Sequence, residues 1–524
     1  MKINYRNIFL SASILFLAAC NSDFDYDIEN PNITHGDADF SKYVALGNSL
    51  TSGFADGALY RSAQENSYPA IIAKQMKFVG GGDFTQPLMK DDIGGFSDLF
   101  AQSKGTSFYG KLELKIVDGT PTPTPTVPKY TLSQTFEKGN FNNLGVAGAK
   151  SYHLLAPGYG NPANLKLGKA NPYFVRFASQ ANASVLSDAL AQKPTFFTLW
   201  IGNNDVLGYA MNGAASTDQK GNIDLAKYGS SDLSETKVVA GSIQKLIDAL
   251  VKSGAKGAVA NLPFVEDIPY FTTVPAEPLS PLNKNYASQI NNLNDFYSKL
   301  NQVFDLLKVP ERKITFSANK ASGAVIVDTS LPDLSQQIAS VLSQAKVPQA
   351  EAQLLAKTFG QVRQSKAGDL LPLTVSRTLG KLNTDRKSLL EQLGLPTQKA
   401  TLLAMNGLTY PLQDANVLTQ KEVEKIHQRV ADINQDIKAM AQQYQIAYVD
   451  MNAEMQKLTK GFKFNGADYN ASFVTGGAFS LDGVHLNSRG YAIAANAFLR
   501  AINHQYKASI PLVDINAYPG TQLP

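Results

Sequence analysis

Four short apolar runs, each closed by turn residues and separated by helical patterns, constrain this chain more than any other feature. They are Tyr43–Leu46, Phe196–Ile201, Ala258–Leu262 and Ile446–Val449. A strand apolar on both sides of its pleat needs both faces of its sheet covered, the condition of a parallel sheet layered with helices. The cover is legible too. Val239, Ile243, Leu246 and Leu250 recur at helical spacing, with Gly254 where a C-terminal cap belongs. Thr419-x-x-Glu422 reads as a capping box opening a helix with the apolar stripe Val423, Ile426, Val430, Ile433, Ile437 and Met440. This alternation predicts an α/β fold with helices on both faces of a parallel sheet.

Two stretches break the rhythm and read as insertions in a domain spanning 41–524. The first, about 60–140, holds a possible strand at Lys111–Val117 and a Thr-Pro run, Pro121 to Pro128, that favours an extended polyproline-type segment. The second, about 275–418, is mainly helical in pattern. One hairpin is expected within it, pairing Lys313–Phe316 with Ala324–Val327 around a turn at Asn319–Gly323.

The amino terminus carries a different signal. Residues 1–20 show a basic start, an apolar stretch of roughly a dozen residues and then Leu17-Ala18-Ala19-Cys20. Residues 1–19 therefore read as a secretory leader, too short in its apolar part to span a bilayer. The end of the leader resembles a bacterial lipobox, which would make Cys20 the acylated first residue of the mature chain and a lipid anchor. Residues 20–40, polar and acidic, read as a flexible tether. Ser22-Asp23-Phe24-Asp25 is similar to the export signal of Bacteroidetes surface lipoproteins. The expected location is the bacterial cell envelope, lipid-anchored at the outer membrane, with surface export and a plain solvated tether both open as readings of residues 22–25. Cys20 is the only cysteine, so no internal disulfide and no multi-cysteine metal site can form. Removal of Lys2 and Arg6 with the leader brings 48 basic residues to 46 against 44 acidic. That balance supplies no field for nucleic acid.

Chemistry is sought among the scarce residues first. There are five histidines. His35 lies in the tether, His427 in the capped helix and His504 near the last helix end; the default for these is a surface or satisfied ring. His153 follows a glycine-rich turn. His485 stands in Asp482-Gly483-Val484-His485, where one tight turn can set a carboxylate against the imidazole, fix its tautomer and stabilise its protonated form. A serine, Ser49, follows the strand Tyr43–Leu46 in Gly47-Asn48-Ser49-Leu50, at the end where α/β folds open their ligand crevice. Thr51 takes the place of the last glycine of a Gly-x-Ser-x-Gly elbow, so that motif is absent. Donors for a developing oxyanion are available in Asn143–Gly148 and in Gly202-Asn203-Asn204-Asp205. Gly145–Ser151 lacks the adjacent Gly-Lys pair of a phosphate loop, which removes a nucleotide-binding reading.

Taken in order, these four turns resemble the blocks of the SGNH (GDSL) hydrolase family: GNSLTSG at 47–53, NLGVAGA at 143–149, Gly202–Asp205 and Asp482–His485. The resemblance implies a flavodoxin-like sheet with the blocks along one edge. It further implies Ser49 as nucleophile, His485 as base, Asp482 as its partner, and an oxyanion hole made by Ser49 N–H, Gly148 N–H and the Asn204 amide. Asn48 departs from the aspartate usual before the nucleophile; a neutral amide can still make the hydrogen bonds of the turn. The expected activity is that of a serine esterase or lipase working through an acyl-serine, on lipid or acylated carbohydrate, without metal or organic cofactor. An acyltransferase of the same fold and a non-catalytic surface-binding lipoprotein are the alternatives.

Overall fold

The computed structural model describes residues 33–117 and 119–522. The leader, Cys20 and most of the expected tether lie outside the described residues. At the centre is a five-stranded parallel sheet of β1 (Tyr43–Gly47), β2 (Asn143–Gly145), β3 (Phe196–Trp200), β4 (Lys256–Ala260) and β5 (Ala447–Val449), in the order β2-β1-β3-β4-β5. This is the flavodoxin-like order, which reverses direction next to β1 and so opens a crevice there. Every residue of β1 and β3 is buried, as expected of strands covered on both faces. β2 has only three residues and no apolar run, so its sequence reads as a turn.

Two pairs of helices supply the cover. α1 (Tyr68–Met76) packs on the last long helix, Ser488–Tyr506, with Tyr68 stacked on Phe498 at 4.8 Å. α2 (Asn204–Met211) follows β3 directly. α3 (Thr236–Lys252) packs against α4 (Gln420–Gln443), whose capping box at Thr419 and Glu422 is in place. α5 (Met451–Lys460) follows β5, and α6 is the helix Ser488–Tyr506.

Three readings of the sequence need correction. Residues 33–40, assigned to a flexible tether, lie on the core: Ala38 and Phe40 are buried, Phe40 meets the Phe196 ring edge-on, and Asp37 N–H donates to Tyr506 O. Their polar composition hid two apolar anchors. The Thr-Pro run is a paired strand: Thr120–Thr126 forms an antiparallel hairpin with Gly110–Val117. Proline cannot donate to a ladder, so it is tolerated at such an edge. The hairpin expected at 313–327 does not form. Val325–Val327 pairs instead with Val362–Gln364. The backbone of Ile314 and Phe316 is satisfied by the side chains of Asn301 and Asn294, each donating to and accepting from the main chain at 2.8–2.9 Å. Two asparagines on the helix Ile290–Leu306 thus replace a partner strand.

The stretch 275–418 has a hydrophobic core of its own, built around Tyr297, Phe304, Phe316, Ile338 and Phe359. Its helices Ser335–Gln344 and Gln349–Phe359 pack closely on each other.

Candidate active site

The site lies at the carboxyl edge of the sheet, where β1 ends in the turn holding Ser49. Asn48 caps a single helical turn, Ser49–Ser52, accepting from Leu50 N–H at 3.0 Å. Its amide nitrogen donates to Asn203 Oδ1 at 2.9 Å. A carboxylate could keep the first bond but not the second, so the amide at position 48 ties the serine turn to the turn after β3. Close approach explains two glycines beside it. A Cβ on Gly47 would fall 2.1 Å from Thr51 Oγ1 and 2.4 Å from Trp200 O, and one on Gly145 would fall 2.3 Å from Ser52 N.

Ser49, His485 and Asp482 meet in one chain of hydrogen bonds. Ser49 Oγ lies 2.9 Å from His485 Nε2, and His485 Nδ1 lies 2.8 Å from Asp482 Oδ2. The ring of Phe54 covers one side of His485 at 4.7 Å. Asp482 also accepts from the backbone N–H groups of Gly57, Val484 and His485 at 2.8–2.9 Å and from Ser480 Oγ at 3.1 Å. Burial alone would raise its carboxyl. The facing His485 and the backbone donors outweigh that and hold it well below the usual carboxylate range. A carboxylate so held is ionised and acceptor-only. It therefore accepts a hydrogen bond from Nδ1–H, which keeps the proton on that nitrogen and leaves Nε2 free to accept from the serine.

Of the donors expected from the sequence, Ser49 and Asn204 line one cavity, and Gly148 stands in the turn that follows β2. Among the described residues, the N–H groups of Ser49 and Gly148 have no protein acceptor. Gly148 has φ +80°, with only Asn171 Nδ2 near where a Cβ would stand. Asn204 spends one amide hydrogen on Ala149 O at 3.0 Å, which orients the group and leaves the second hydrogen available. Asp205 is fully buried and accepts from Ser151 N–H and Oγ at 2.8 and 3.1 Å, fastening the glycine turn to the turn after β3.

The other histidines stand apart from Ser49. His153 accepts from Lys150 N–H at 3.0 Å and stacks on Tyr159; burial, reinforced by the Lys150 charge, pushes its imidazole down to about 4. His427 lies 2.5 Å from Glu266 and stacks on Phe264. His35 and His504 are exposed. Among the described residues no group of three or more His, Cys, Asp or Glu side chains gathers as a metal site would, and no helix is long and apolar enough to cross a membrane.

Ser49 and His485 also line a partly open cavity of about 110 Å³ that runs into apolar surroundings of Leu262, Phe264, Val430, Met455, Leu458 and Ile493. None of its lining residues comes from 275–418. That stretch instead presses on the back of the histidine turn: Gly483 is left-handed, and a Cβ there would meet Leu373 at 3.1 Å. The reading of the sequence missed the residues that brace Asp482, namely Gly57 and Ser480. The one available signal was Asp56-Gly57 between two alanines, a tight-turn pair.

Residues 320–498, about a third of the chain, match the family model of GDSL-like lipases and acylhydrolases. The match includes β5 and the Asp482–His485 turn; Ser49, Gly148 and Asn204 precede it. Among solved structures, a mutant acetyl-xylooligosaccharide esterase from Geobacillus stearothermophilus is similar at 10% identity, covering 89% of this chain and 96% of that one, with a TM-score of 0.30. A GDSL-like lipase from Parabacteroides merdae is similar at 10% identity over 54% of this chain and 91% of that one, with a TM-score of 0.20. No curated protein matches the chain by sequence. Over residues 320–498 the chain is thus similar to GDSL-like lipases and acylhydrolases, and its five-stranded parallel sheet has the order that the resemblance in the sequence implied.

Proposed function

We propose that the chain is a serine esterase for medium-length acyl esters, working through an acyl-serine on Ser49. The observation that carries this reading is the unbroken chain Ser49–His485–Asp482, with bonds of 2.9 and 2.8 Å, opening on an apolar cavity. His485 Nε2 takes the Ser49 proton as Oγ attacks the ester carbonyl. The oxyanion is held by Ser49 N–H, Gly148 N–H and the free hydrogen of the Asn204 amide. The alcohol leaves with the proton from His485, and a water activated by the same ring then hydrolyses the acyl-serine. Asp482 holds the ring in the required tautomer and stabilises its cation.

The cavity supports an acyl group longer than acetyl. Its walls of Leu262, Phe264, Met455 and Leu458 would pack an alkyl chain and offer no partner to a polar group. Each buried methylene is worth about 0.8 kcal/mol, or about fourfold. The alcohol side of the ester, lipid or glycan, faces the open end. The proposal extends to location: Cys20 carries acyl chains that anchor the enzyme to the outer membrane of a bacterial envelope.

The test is turnover of p-nitrophenyl acetate, butyrate, octanoate and palmitate by protein starting at Asn21, beside Ser49→Ala. Octanoate is expected to give the highest kcat/KM, with no turnover in the variant. Preference for acetate would remove the acyl-length reading. Inertness to all four esters and to a serine-directed fluorophosphonate would leave the binding-lipoprotein alternative. Fatty-acid labelling of the full chain, lost in Cys20→Ala, tests the anchor.

A further inference from the structure

Asp56 is separated from Asp482 by most of the chain, yet the two carboxylates belong to one hydrogen-bonded assembly. Ala55 and Ala58 pair with each other across Asp56-Gly57, both N–H···O distances being 3.0 Å, and Asp56 and Gly57 both have positive φ, +51° and +75°. This is the two-residue turn that Asp-Gly forms with least strain. The turn does more than reverse the chain. Gly57 N–H donates to Asp482 Oδ2 at 2.9 Å, and Asp56 N–H donates to Ser480 Oγ at 2.9 Å, whose own proton goes to Asp482 Oδ1. The Asp56 carboxylate holds the other side of the contact. Oδ1 accepts from Leu481 N–H at 2.8 Å, and Oδ2 accepts from Tyr60 OH at 2.6 Å.

We infer that Asp56 is a positioning residue for the hydrolytic site, acting through Asp482 in two ways. It fixes Leu481 and Ser480 so that the Asp482 carboxylate faces His485, and it places a second negative charge behind the Asp482–His485 pair. Both oxygens act as acceptors, the pattern of an ionised carboxylate. The groups that face it are Tyr60, Lys111, Tyr491 and Asp482, with Tyr109 against Gly57. Lys111 Nζ sits over the Tyr60 ring at 5.2 Å and is the one cation among these groups. Burial, and then the neighbouring Asp482 charge, raise the Asp56 carboxyl from its ordinary value. The fold spends a buried carboxylate at this spot although Leu481 N–H could have been satisfied by a neutral acceptor.

This inference rests on the Ser49–His485–Asp482 reading, and the experiment separates the two. Wild type, Ser49→Ala, Asp56→Gly, Asp56→Asn and Tyr60→Phe are compared for kcat and KM on p-nitrophenyl octanoate from pH 5 to 9, with melting curves for each. Asp56→Gly keeps the positive φ and removes the carboxylate; kcat is expected to fall about 30-fold with KM within about twofold. Asp56→Asn keeps the acceptor for Leu481 and removes the charge. It is expected to restore kcat to within about threefold and to move the acid limb of kcat/KM down by about half a pH unit. Tyr60→Phe should give a smaller loss in kcat in the same direction. Wild-type kcat in Asp56→Gly, a loss confined to KM, or an unmoved acid limb in Asp56→Asn overturns the inference. Should Asp56→Gly not fold, the acid limb of Asp56→Asn decides alone. Activity that survives Ser49→Ala overturns the parent reading instead.

Discussion

The site at the sheet edge and the insertion over 275–418 both bury carboxylates, but they neutralise them differently. In the insertion, Arg363 sits between Asp328 and Asp369 at 2.7 and 2.6 Å; all three are largely or fully enclosed, and Asp369 also receives Gln420 N–H at the start of α4. That arrangement is a permanent ion pair that locks the insertion to the core. At the edge, Asp482 has backbone amides, a serine hydroxyl and an imidazole, with no fixed cation among its hydrogen-bond partners. An arginine would cancel the carboxylate at all times. Amides and a histidine leave its charge available when the imidazole becomes a cation, the moment at which an esterase needs it. The difference teaches where to look for chemistry: among buried acids whose partners are neutral at rest.

The sharpest way to break this contrast is at the serine. Ser49→Ala should lower kcat by about 10⁴-fold or more, measured on p-nitrophenyl octanoate, while leaving the melting temperature within about 2 °C. Asp482→Asn should cost about 10³- to 10⁴-fold in kcat by favouring the wrong tautomer. An equal loss from Asp328→Asn would erase the distinction between the two acids. Arg363→Met, which leaves two buried carboxylates unpaired, should destabilise by about 3–5 kcal/mol in denaturant melts; in protein still folded, kcat should hold within about twofold.

A pH effect follows from His153. Its folded value of about 4 lies below the ordinary 6.5. Between these values the unfolded chain takes up a proton that the fold refuses, so its contribution is complete above about pH 6.5 and is lost as pH falls toward 4. The loss should reach about 3 kcal/mol, and His153→Gln should flatten that part of the stability profile. The smallest effect concerns the cavity. Met455→Trp should fill it and lower the octanoate-to-acetate ratio of kcat/KM by about tenfold.

What the sequence showed depended on how local each signal was. β1, β3, β4 and β5 were legible because their cover on two faces demands unbroken apolar runs. The turns at Ser49 and at Gly202–Asp205 were legible because each directly follows such a strand, whereas those at Asn143–Gly148 and Asp482–His485 were read from residue types alone; the structure brings Ser49, Asp482 and His485 to hydrogen-bond distance. β2 was not, since Asn143–Gly145 is held by its register with Ala45–Gly47 and not by its own pattern. The false hairpin at 313–327 failed for the opposite reason: Asn294 and Asn301 supply, from a helix, bonds that local pattern assigns to a strand. Asp56 was invisible as part of the site because the partners that tie it there lie 424 and 425 positions away; only its tight-turn preference and its bond to Tyr60 are local.

The separation of Ser49 from His485 by 436 positions has a consequence for the safety of the cell that makes the enzyme. The insertion has a hydrophobic core of its own and no residue that lines the cavity at Ser49, so it can order itself without completing the site. The serine meets its base only after β5 has joined the sheet and the turn before α6 has docked. A partly assembled chain therefore holds a nucleophile without a base. Hydrolytic competence waits for that docking, and an unfinished molecule cannot cleave an ester by this route.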